Sequence, residues 1–145
     1  MAETARWGLT RVAYGCRSLA DIVSREPRLI ETAADGQKTV VLHTARAPRR
    51  NLSGGSLFWV VQHMLVARQP IAAILAPGRV PGAGATGQKS EIHLVPGPIP
   101  VRPRRLPSHQ GWRYLPAELW PIDLAAGEEA LPAELAAELA GLFLS

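Results

Sequence analysis

Arginine and aromatic side chains are the residues of this sequence best suited to chemistry, and they cluster in the segment RPRRLPSHQGWRYL, residues 102–115. A guanidinium group offers a planar fork of donors that matches phosphate or carboxylate oxygens two at a time. Exposed aromatic rings beside arginine stack on unpaired bases. We therefore predict an anion- or nucleic-acid-binding face formed by Arg49, Arg50, Arg68, Arg104, Arg105, Gln110, Trp112 and Arg113. The alternative is that Trp112 and Tyr114 bury their rings and the arginines only solvate an edge.

The charges favour an anionic partner because they are segregated along the chain. Residues 36–117 carry eleven basic residues and one acidic residue, Glu91, whereas residues 118–145 carry six acidic residues and no basic one. A basic segment of this kind is typical of proteins that bind RNA or other nucleic acids, and it also suits an anionic small molecule. Two alternatives stay open. The acidic tail could neutralise the basic segment, or the protein could bind an acidic segment of another protein.

The sequence contains no catalytic or metal-binding motif. The histidines His43, His63, His93 and His109 are scattered, without a second ligand at metal-binding spacing. GAGATG (82–87) lacks the Gly-Lys-Ser/Thr ending of a phosphate-binding loop, and LSGGS (52–56) lacks the order of a serine-nucleophile motif. We predict no catalytic residue, no metal and no cofactor. His43 and His93 could face each other on neighbouring strands, so a small enzyme acting on an anionic metabolite remains an alternative.

Length and composition indicate one folded domain over residues 1–145. Hydrophobic residues make up 47% of the chain and charged residues 19%, which does not fit a disordered chain. The single cysteine, Cys16, excludes an internal disulfide and a zinc site built from cysteines. The first residues lack the basic and apolar regions of a secretory signal, and no apolar run is long enough to span a membrane. We expect a cytoplasmic protein that does not bind membranes, of undetermined oligomeric state.

Local patterns predict the elements that must position these residues. RWGLTRVAYG (6–15), KTVVLHTA (38–45) and SEIHLVP (90–96) have the composition of strands. Ser18 and Asp21 fit a capping box at the start of a helix, which Pro27 must stop. PRRNLSGG (48–55) is predicted to form a short helix that ends at its glycines.

Glycine and proline interrupt regular structure in much of the chain after residue 75. APGRVPGAGATGQK (76–89) holds four glycines and two prolines, which predicts a flexible loop. GPIPVRPRRLPSHQ (97–110) is too rich in proline for a central strand, so it is predicted to be an extended edge or a loop. GWRYL (111–115) is predicted to be the end of a strand. Residues 125–145 are predicted to form an acidic amphipathic helix with a stripe of leucines.

The most apolar segment is GGSLFWVVQHMLVARQPI, residues 54–71. Apolar residues occupy both odd and even positions, which predicts a strand buried on both faces over 56–62, a turn near His63 and a strand over 65–75. A single bent helix over 56–67 is the alternative. Trp59, Val61 and Leu65 would lie in the core. The predicted fold class is α+β: a mostly antiparallel, barrel-like sheet of five or six strands with two or three helices, and with the arginines gathered at one rim.

Two stretches, GGSLFWVVQHMLVARQPI and PRRLPSHQGWRYLPAE, resemble the signatures of an uncharacterised bacterial family, domain of unknown function 1489. The resemblance covers roughly residues 9–124, and the family brings no activity with it. Phe58 stands where a tyrosine is usual, and Pro70 replaces a polar or basic residue. At the level of fold the chain is also similar to PUA and ASCH domains, small barrels that often bind RNA or modified nucleotides. The matching residues are Gly54, Gly55, Ser56, Leu57, Trp59, Val60, Arg68, Gln69, Arg104, Arg105, Gln110, Gly111, Trp112, Arg113, Tyr114 and Leu115.

The leading hypothesis from sequence is thus a non-enzymatic nucleic-acid- or nucleotide-binding module with an arginine-rich rim and an aromatic residue. It rests on the assumption that arginines spread over the middle of the chain converge on one surface after folding.

Overall fold

The computed structural model describes residues 6–33, 35–76, 80–81, 89–107 and 109–124. One α-helix lies in this part of the chain, α1 (Leu19–Arg25), which continues into a 3-10 turn at Glu26–Arg28. A second 3-10 turn spans Ala117–Leu119. The strands are β1 (Trp7–Val12), β2 (Ile30–Thr32), β3 (Lys38–Thr44), β4 (Ser56–Val61), β5 (Met64–Ala76), β6 (Val80–Pro81), β7 (Ser90–Leu94), β8 (Ile99–Arg105) and β9 (Trp112–Pro116).

These strands form one mixed sheet in the order β2-β3-β7-β5-β4-β1-β9, with β6 and β8 also paired to β5. The first half of the long strand β5 pairs with β4 and β8, and its second half pairs with β7 and β6. β1 and β4 are parallel, whereas the other pairs among the described strands are antiparallel. β5 therefore joins the two halves of the sheet, and β2 and β9 lie at its open ends.

The predicted barrel-like, PUA-like sheet is wrong, because this sheet is open. Closing a barrel requires a strand to pair with the outer edge of β9. At that edge the carbonyl of Trp112 accepts a hydrogen bond from Nη2 of Arg46 at 3.0 Å. The strand then ends at Pro116, which has no amide hydrogen to donate. A side chain and a proline therefore occupy the edge where another strand would have to pair.

The prediction of two or three helices is also wrong for the part of the chain that is described. PRRNLSGG is not helical, because the amide of Ser53 donates to the side-chain oxygen of Asn51 and the amide of Gly55 donates to the carbonyl of Leu52, so that neither makes a helical hydrogen bond to the residue four positions before it. The helix predicted over 125–145 lies outside the described residues, and so does most of the predicted loop 76–89. Neither of those two predictions is tested by the structure.

Several local predictions are confirmed. Ser18 caps α1 through its hydroxyl, which accepts the amide of Asp21 at 3.4 Å, and the helix ends at Arg25, before Pro27. The first strand, the strand at 38–45 and the strand at 90–96 are present as β1, β3 and β7. The proline-dense segment forms the extended strand β8, and GWRYL belongs to β9.

The apolar segment forms a hairpin, as predicted, and the alternative of a bent helix is excluded. β4 and β5 are joined at Gln62 and His63, whose φ angles of 48° and 64° give the strands a tight reversal. Every residue of β4 is buried. Leu57, Trp59 and Val61 enter the larger core cluster, while Phe58 and Val60 enter a smaller one on the other side of the sheet. The predicted core residues Trp59, Val61 and Leu65 are all buried, Leu65 in the smaller cluster.

The two glycines before β4 have different structural roles. Gly54 has a φ of 75°, a conformation that strains residues with a side chain. Gly55 lies so close to β1 that an added Cβ would be 2.1 Å from the carbonyl oxygen of Trp7. The pair therefore allows the chain to turn into β4 and to approach β1 closely.

Gln69 connects the helix to the sheet through a buried hydrogen-bond network. Its Oε1 accepts the indole N–H of Trp59 at 2.8 Å, and its Nε2 donates to a carboxylate oxygen of Glu26 at 3.1 Å. The other oxygen of Glu26 accepts the amide of Gly97 at 2.9 Å. Nε2 also donates to the carbonyl of Val95 at 3.1 Å. Because Gln69 is 1% exposed, losing Trp59 would leave its buried Oε1 without this hydrogen bond. The resemblance residues Trp59 and Gln69 thus belong to the scaffold.

Candidate functional site

A cleft of about 540 Å³ lies between the end of β3 and the start of β9. One wall is the end of β3 and the residues after it, from His43 to Arg46, and the other is the segment from Gln110 to Tyr114. Arg11 of β1 completes the lining. Arg11, Arg46 and Arg113 are the arginines of this lining, and none of the described residues that line the cleft is acidic. Arg113 also lines a second depression, together with Thr10 and His109.

Arg46 and Trp112 hold the two walls together through reciprocal contacts. The indole N–H of Trp112 donates to the carbonyl of Arg46 at 2.8 Å, and Nη2 of Arg46 donates to the carbonyl of Trp112 at 3.0 Å. The guanidinium carbon lies 4.0 Å from the centre of the Trp112 ring, a cation–π contact. These contacts fix both the backbone and the side chain of Arg46, although Arg46 itself is exposed.

Tyr114 fixes Arg49 and Arg50, which belong to the same connection between β3 and β4 as Arg46. Its hydroxyl accepts the amides of Arg49 at 2.6 Å and Arg50 at 3.1 Å. The guanidinium of Arg50 lies 4.1 Å from the ring centre of Trp7 and 5.3 Å from that of Tyr114. The tyrosine therefore anchors the backbone of Arg49 and Arg50 to β9, and the Arg50 side chain contacts Trp7 of β1.

Arg11 is a partly buried cation to which the described residues give no carboxylate partner. Burial lowers the pKa of its guanidinium, and the positive charge of Arg25 lowers that pKa further. Its Nη1 lies 3.4 Å from the carbonyl oxygen of His43, a long hydrogen bond. An anion in the cleft would offset the unfavourable electrostatics of this group.

His109 holds the segment that contains Gln110 against β1 through two hydrogen bonds. Its Nε2 lies 2.8 Å from the hydroxyl of Thr10, and its Nδ1 lies 3.4 Å from the carbonyl of Gln110. Burial lowers the pKa of His109, so the imidazole is mostly neutral near pH 7. With Nδ1 protonated toward Gln110, Nε2 accepts the Thr10 hydroxyl hydrogen. His109 is thus a structural residue beside the cleft.

His93, on β7, also has hydrogen-bond partners at both ring nitrogens. His93 lies between the Thr39 hydroxyl, 2.9 Å from Nδ1, and the Glu91 carboxylate, 3.0 Å from Nε2. The side chains of His93 and Glu91 are buried. His43 pairs with Glu91 in register rather than with His93. Of these residues only His43 lines the cleft.

The eight residues predicted as one binding face lie in three places. Gln110, Trp112 and Arg113 line the cleft. Arg49 and Arg50 line a separate depression of about 370 Å³ beside Ile71 and Ile74. The remaining three, Arg68, Arg104 and Arg105, lie on β5 and β8, where Arg104 and Arg105 pair with Leu65 and Met64.

Two of the arginines on β5 and β8 already have partners. Arg68 forms a bidentate ion pair with Asp123, with Nε–Oδ1 and Nη2–Oδ2 distances of 2.7 and 2.8 Å. Its Nη1 donates to the Ser56 hydroxyl at 3.0 Å. Arg104 donates to the carbonyl of Leu119 at 3.0 Å. The assumed convergence of all these arginines on one rim does not occur.

Trp112 lies in the cleft wall, but its ring is 3% exposed and belongs to the larger core cluster. The sequence alternative of buried aromatic rings is correct for this residue. Tyr114, which is partly buried, packs edge-on against it with ring centres 4.7 Å apart. Neither ring is an open stacking surface.

The sequence reasoning missed Arg11 and Arg46. Alternation along β1 offers a signal for Arg11, since Trp7, Leu9 and Arg11 share one face of the strand. Arg46 carries no comparable signal, because its partner Trp112 is 66 residues away in sequence.

Two further findings describe the same part of the chain. Within the described residues no group of three or more histidine, cysteine, aspartate or glutamate side chains could hold a metal ion. The described helix is also too short to cross a bilayer.

Comparison with known proteins gives one match. No curated protein and no solved structure is significantly similar to this chain. One family model matches residues 9–145 and therefore covers all of the cleft and nearly all of the sheet. The chain belongs to the family described as "Protein of unknown function (DUF1489)".

Proposed function

We propose that the cleft between β3 and β9 binds a phosphate-bearing ligand of the nucleotide type. The ligand is either a free nucleotide or part of a nucleic-acid strand. The observation that carries the proposal is that Arg11, Arg46 and Arg113 line one cleft, and that none of the described residues lining it is acidic. The proposal keeps Gln110, Trp112 and Arg113 from the sequence prediction. It adds Arg11 and Arg46, and it leaves out Arg49, Arg50, Arg68, Arg104 and Arg105.

The electrostatics of Arg11 support an anionic ligand. A partly buried guanidinium next to Arg25 has lost part of its hydration and has gained no opposite charge from the described residues. A phosphate group would supply that charge together with acceptors for the guanidinium fork. Charge-assisted hydrogen bonds contribute roughly 1.5–3 kcal/mol each, or about tenfold to a hundredfold in affinity.

The test is a binding titration at low salt with two probes. One is a labelled single-stranded RNA of about eight nucleotides, followed by fluorescence anisotropy, and the other is adenosine 5′-monophosphate, followed by calorimetry. If two or three of these arginines contact phosphates of the RNA, log affinity falls against log salt with a slope of roughly −1.4 to −2. Binding of the RNA alone identifies a strand as the ligand, and binding of the mononucleotide alone identifies a free nucleotide.

Arg11→Met is the test variant, and Arg105→Met is its matched control on the exposed part of β8. We expect Arg11→Met to weaken binding at least about tenfold and to reduce the RNA salt slope by about 0.7. Arg105→Met should change the affinity by less than about twofold. Equal losses in the two variants would indicate attraction by net charge rather than a site. No binding of either probe at low salt would overturn the proposal.

A second candidate function is a small enzyme acting on an anionic metabolite. The observation that favours it is that His43 lines the cleft together with Arg11 and Arg46. An imidazole beside guanidinium groups could serve as a general base for a bound anion. Product analysis after incubation with each ligand that binds, using His43→Ala as control, tests this candidate. Turnover that disappears in His43→Ala would support it, and unchanged ligands would exclude it.

An acidic protein segment is the remaining alternative from the sequence. A synthetic peptide of residues 125–145 tests it in the same titration, because this segment carries four glutamates and no basic residue. Displacement of the RNA or the nucleotide by the peptide at similar concentrations would favour a protein-interaction module. Failure to displace either probe would exclude this segment as the occupant.

A further inference from the structure

Each of the four tryptophans has an arginine over its ring. The distances from guanidinium carbon to ring centre range from 4.0 Å for Arg46 on Trp112 to 5.1 Å for Arg6 on Trp120. Cation–π contact between arginine and indole is therefore a general feature of the described part of this fold, and it holds long polar side chains against apolar surface. One of these pairs differs from the rest in that its arginine, Arg46, lines the cleft.

Arg46 presents a guanidinium plane whose position is fixed. Its central carbon lies 4.0 Å from the centre of the buried Trp112 ring, and Nη2 is hydrogen-bonded to the Trp112 carbonyl. The residue is nevertheless exposed and lies in the cleft wall. Bases in protein–RNA complexes stack on arginine planes as well as on aromatic rings. A guanidinium that is already immobilised loses little conformational freedom when a base is added.

We propose that a base of the ligand stacks on the cleft side of Arg46, in a base–guanidinium–indole sandwich, while its phosphate is bound by Arg11 and Arg113. This inference rests on the proposed function and deepens it, because it requires the ligand to carry an unpaired base. A volume of about 540 Å³ is in the range of small-molecule sites, large enough for one nucleotide. The buried ring of Trp112 then acts through Arg46 rather than by touching the ligand.

The stacking inference is tested by comparing the affinities of ligands with a base and ligands without one. Adenosine 5′-monophosphate is compared with ribose 5-phosphate, and the short single-stranded RNA with a fully abasic strand of equal length. Since both members of each pair carry phosphate, charge alone does not distinguish them. We expect the ligand with a base to bind about tenfold more tightly than its base-free counterpart, the size of one stacking contact.

Arg46→Lys keeps the positive charge and removes the plane. In this variant the preference for the base, which is the ratio of the affinities for the two members of each pair, should fall to less than about twofold. Arg50→Lys is the matched control, because Arg50 stacks on Trp7 at almost the same distance, 4.1 Å, and does not line the cleft. It should keep the full preference.

A measurement on the wild-type protein keeps the test valid if Arg46→Lys does not fold. A base stacked on the guanidinium shifts the Nε–Hε resonance of Arg46 upfield through its ring current. Adenosine 5′-monophosphate or the RNA should produce this shift, and ribose 5-phosphate should not. Equal affinity for both members of each pair, or no upfield shift on saturation, would overturn the stacking inference and leave phosphate binding intact. Failure of all four ligands to bind would overturn the proposed function itself.

Discussion

Arg11 and Arg68 lie on strands that both pair with β4, yet their guanidinium groups are in opposite electrostatic situations. Arg68 donates to both oxygens of Asp123 and to Ser56, so that its pKa is raised, mainly by the hydrogen bond to Asp123. Arg11 has one long contact to a carbonyl, and burial lowers its pKa. Arg68 thus forms an ion pair in one region, whereas Arg11 has no carboxylate partner among the described residues in the other.

The difference teaches which arginines to examine for function. A guanidinium whose fork is filled by a carboxylate of the same chain contributes to stability and is a poor receptor for an external anion. A partly buried guanidinium without such a partner costs folding free energy, and that cost is offset when an anion binds. Stability and binding measurements on matched variants should therefore give opposite results at the two positions.

The largest expected effect on stability is that of Arg68→Met. The variant removes two charge-assisted hydrogen bonds to Asp123 and one to the buried hydroxyl of Ser56. We expect the free energy of unfolding to fall by about 1–2 kcal/mol, the lower figure reflecting solvent screening of side chains that are 27% and 43% exposed. Urea denaturation measures it, with Arg105→Met as a control that should stay within about 0.5 kcal/mol of the wild type.

Because Arg68 lies outside the cleft, we also expect Arg68→Met to keep the wild-type affinity for the nucleotide or RNA. A variant that unfolds at the same urea concentration as the wild type, or that loses ligand binding while it stays folded, would contradict the assignment of Arg68 to the scaffold.

A smaller effect is expected from pH, through Asp123. The hydrogen bond from Arg68 lowers the pKa of this carboxyl below that of an unfolded aspartate, about 3.9. The ion pair therefore stabilises the fold fully above that value, and its contribution is lost as the pH falls through the lower pKa of the folded state. The difference in unfolding free energy between wild type and Asp123→Asn should shrink on going from about pH 6 to about pH 2.

The exposed position of Asp123 limits this change to less than about 1 kcal/mol. Measuring both proteins at each pH cancels the titration of other carboxylates. A wild-type-minus-variant difference that does not change with pH would show that the pair contributes nothing to stability.

Local sequence patterns were enough to predict much of the scaffold. The capping of α1 by Ser18, the strand content of β1 and β3 and the hairpin of β4 and β5 depend on neighbouring residues, which a sequence displays directly. The double-sided burial of β4 follows from apolar residues at both odd and even positions. These elements need no knowledge of distant partners.

The site depends on distant partners, and the sequence prediction failed there for that reason. Arg68 and Asp123 are 55 residues apart, and the Tyr114 hydroxyl that accepts the amide of Arg49 comes from 65 residues away. Closure of the sheet likewise depends on what meets the outer edge of β9, where Arg46 and Pro116 leave no site for another strand. Counting arginines predicted a basic protein but not which guanidinium groups are left without a carboxylate.

The smallest effect on stability, and the strongest contrast with Arg68, is expected from Arg11→Met. Methionine keeps most of the length and apolar surface of the side chain and removes a cation that is partly desolvated and repelled by Arg25. In the absence of ligand the free energy of unfolding should stay within about 0.5 kcal/mol of the wild type or rise slightly. Added inorganic phosphate should raise the melting temperature of the wild type more than that of Arg11→Met, because only a folded state with an intact site gains free energy from binding. Equal stabilisation of the two proteins by phosphate, or a loss of stability in Arg11→Met as large as that in Arg68→Met, would mean that Arg11 serves the scaffold and that the two regions do not differ.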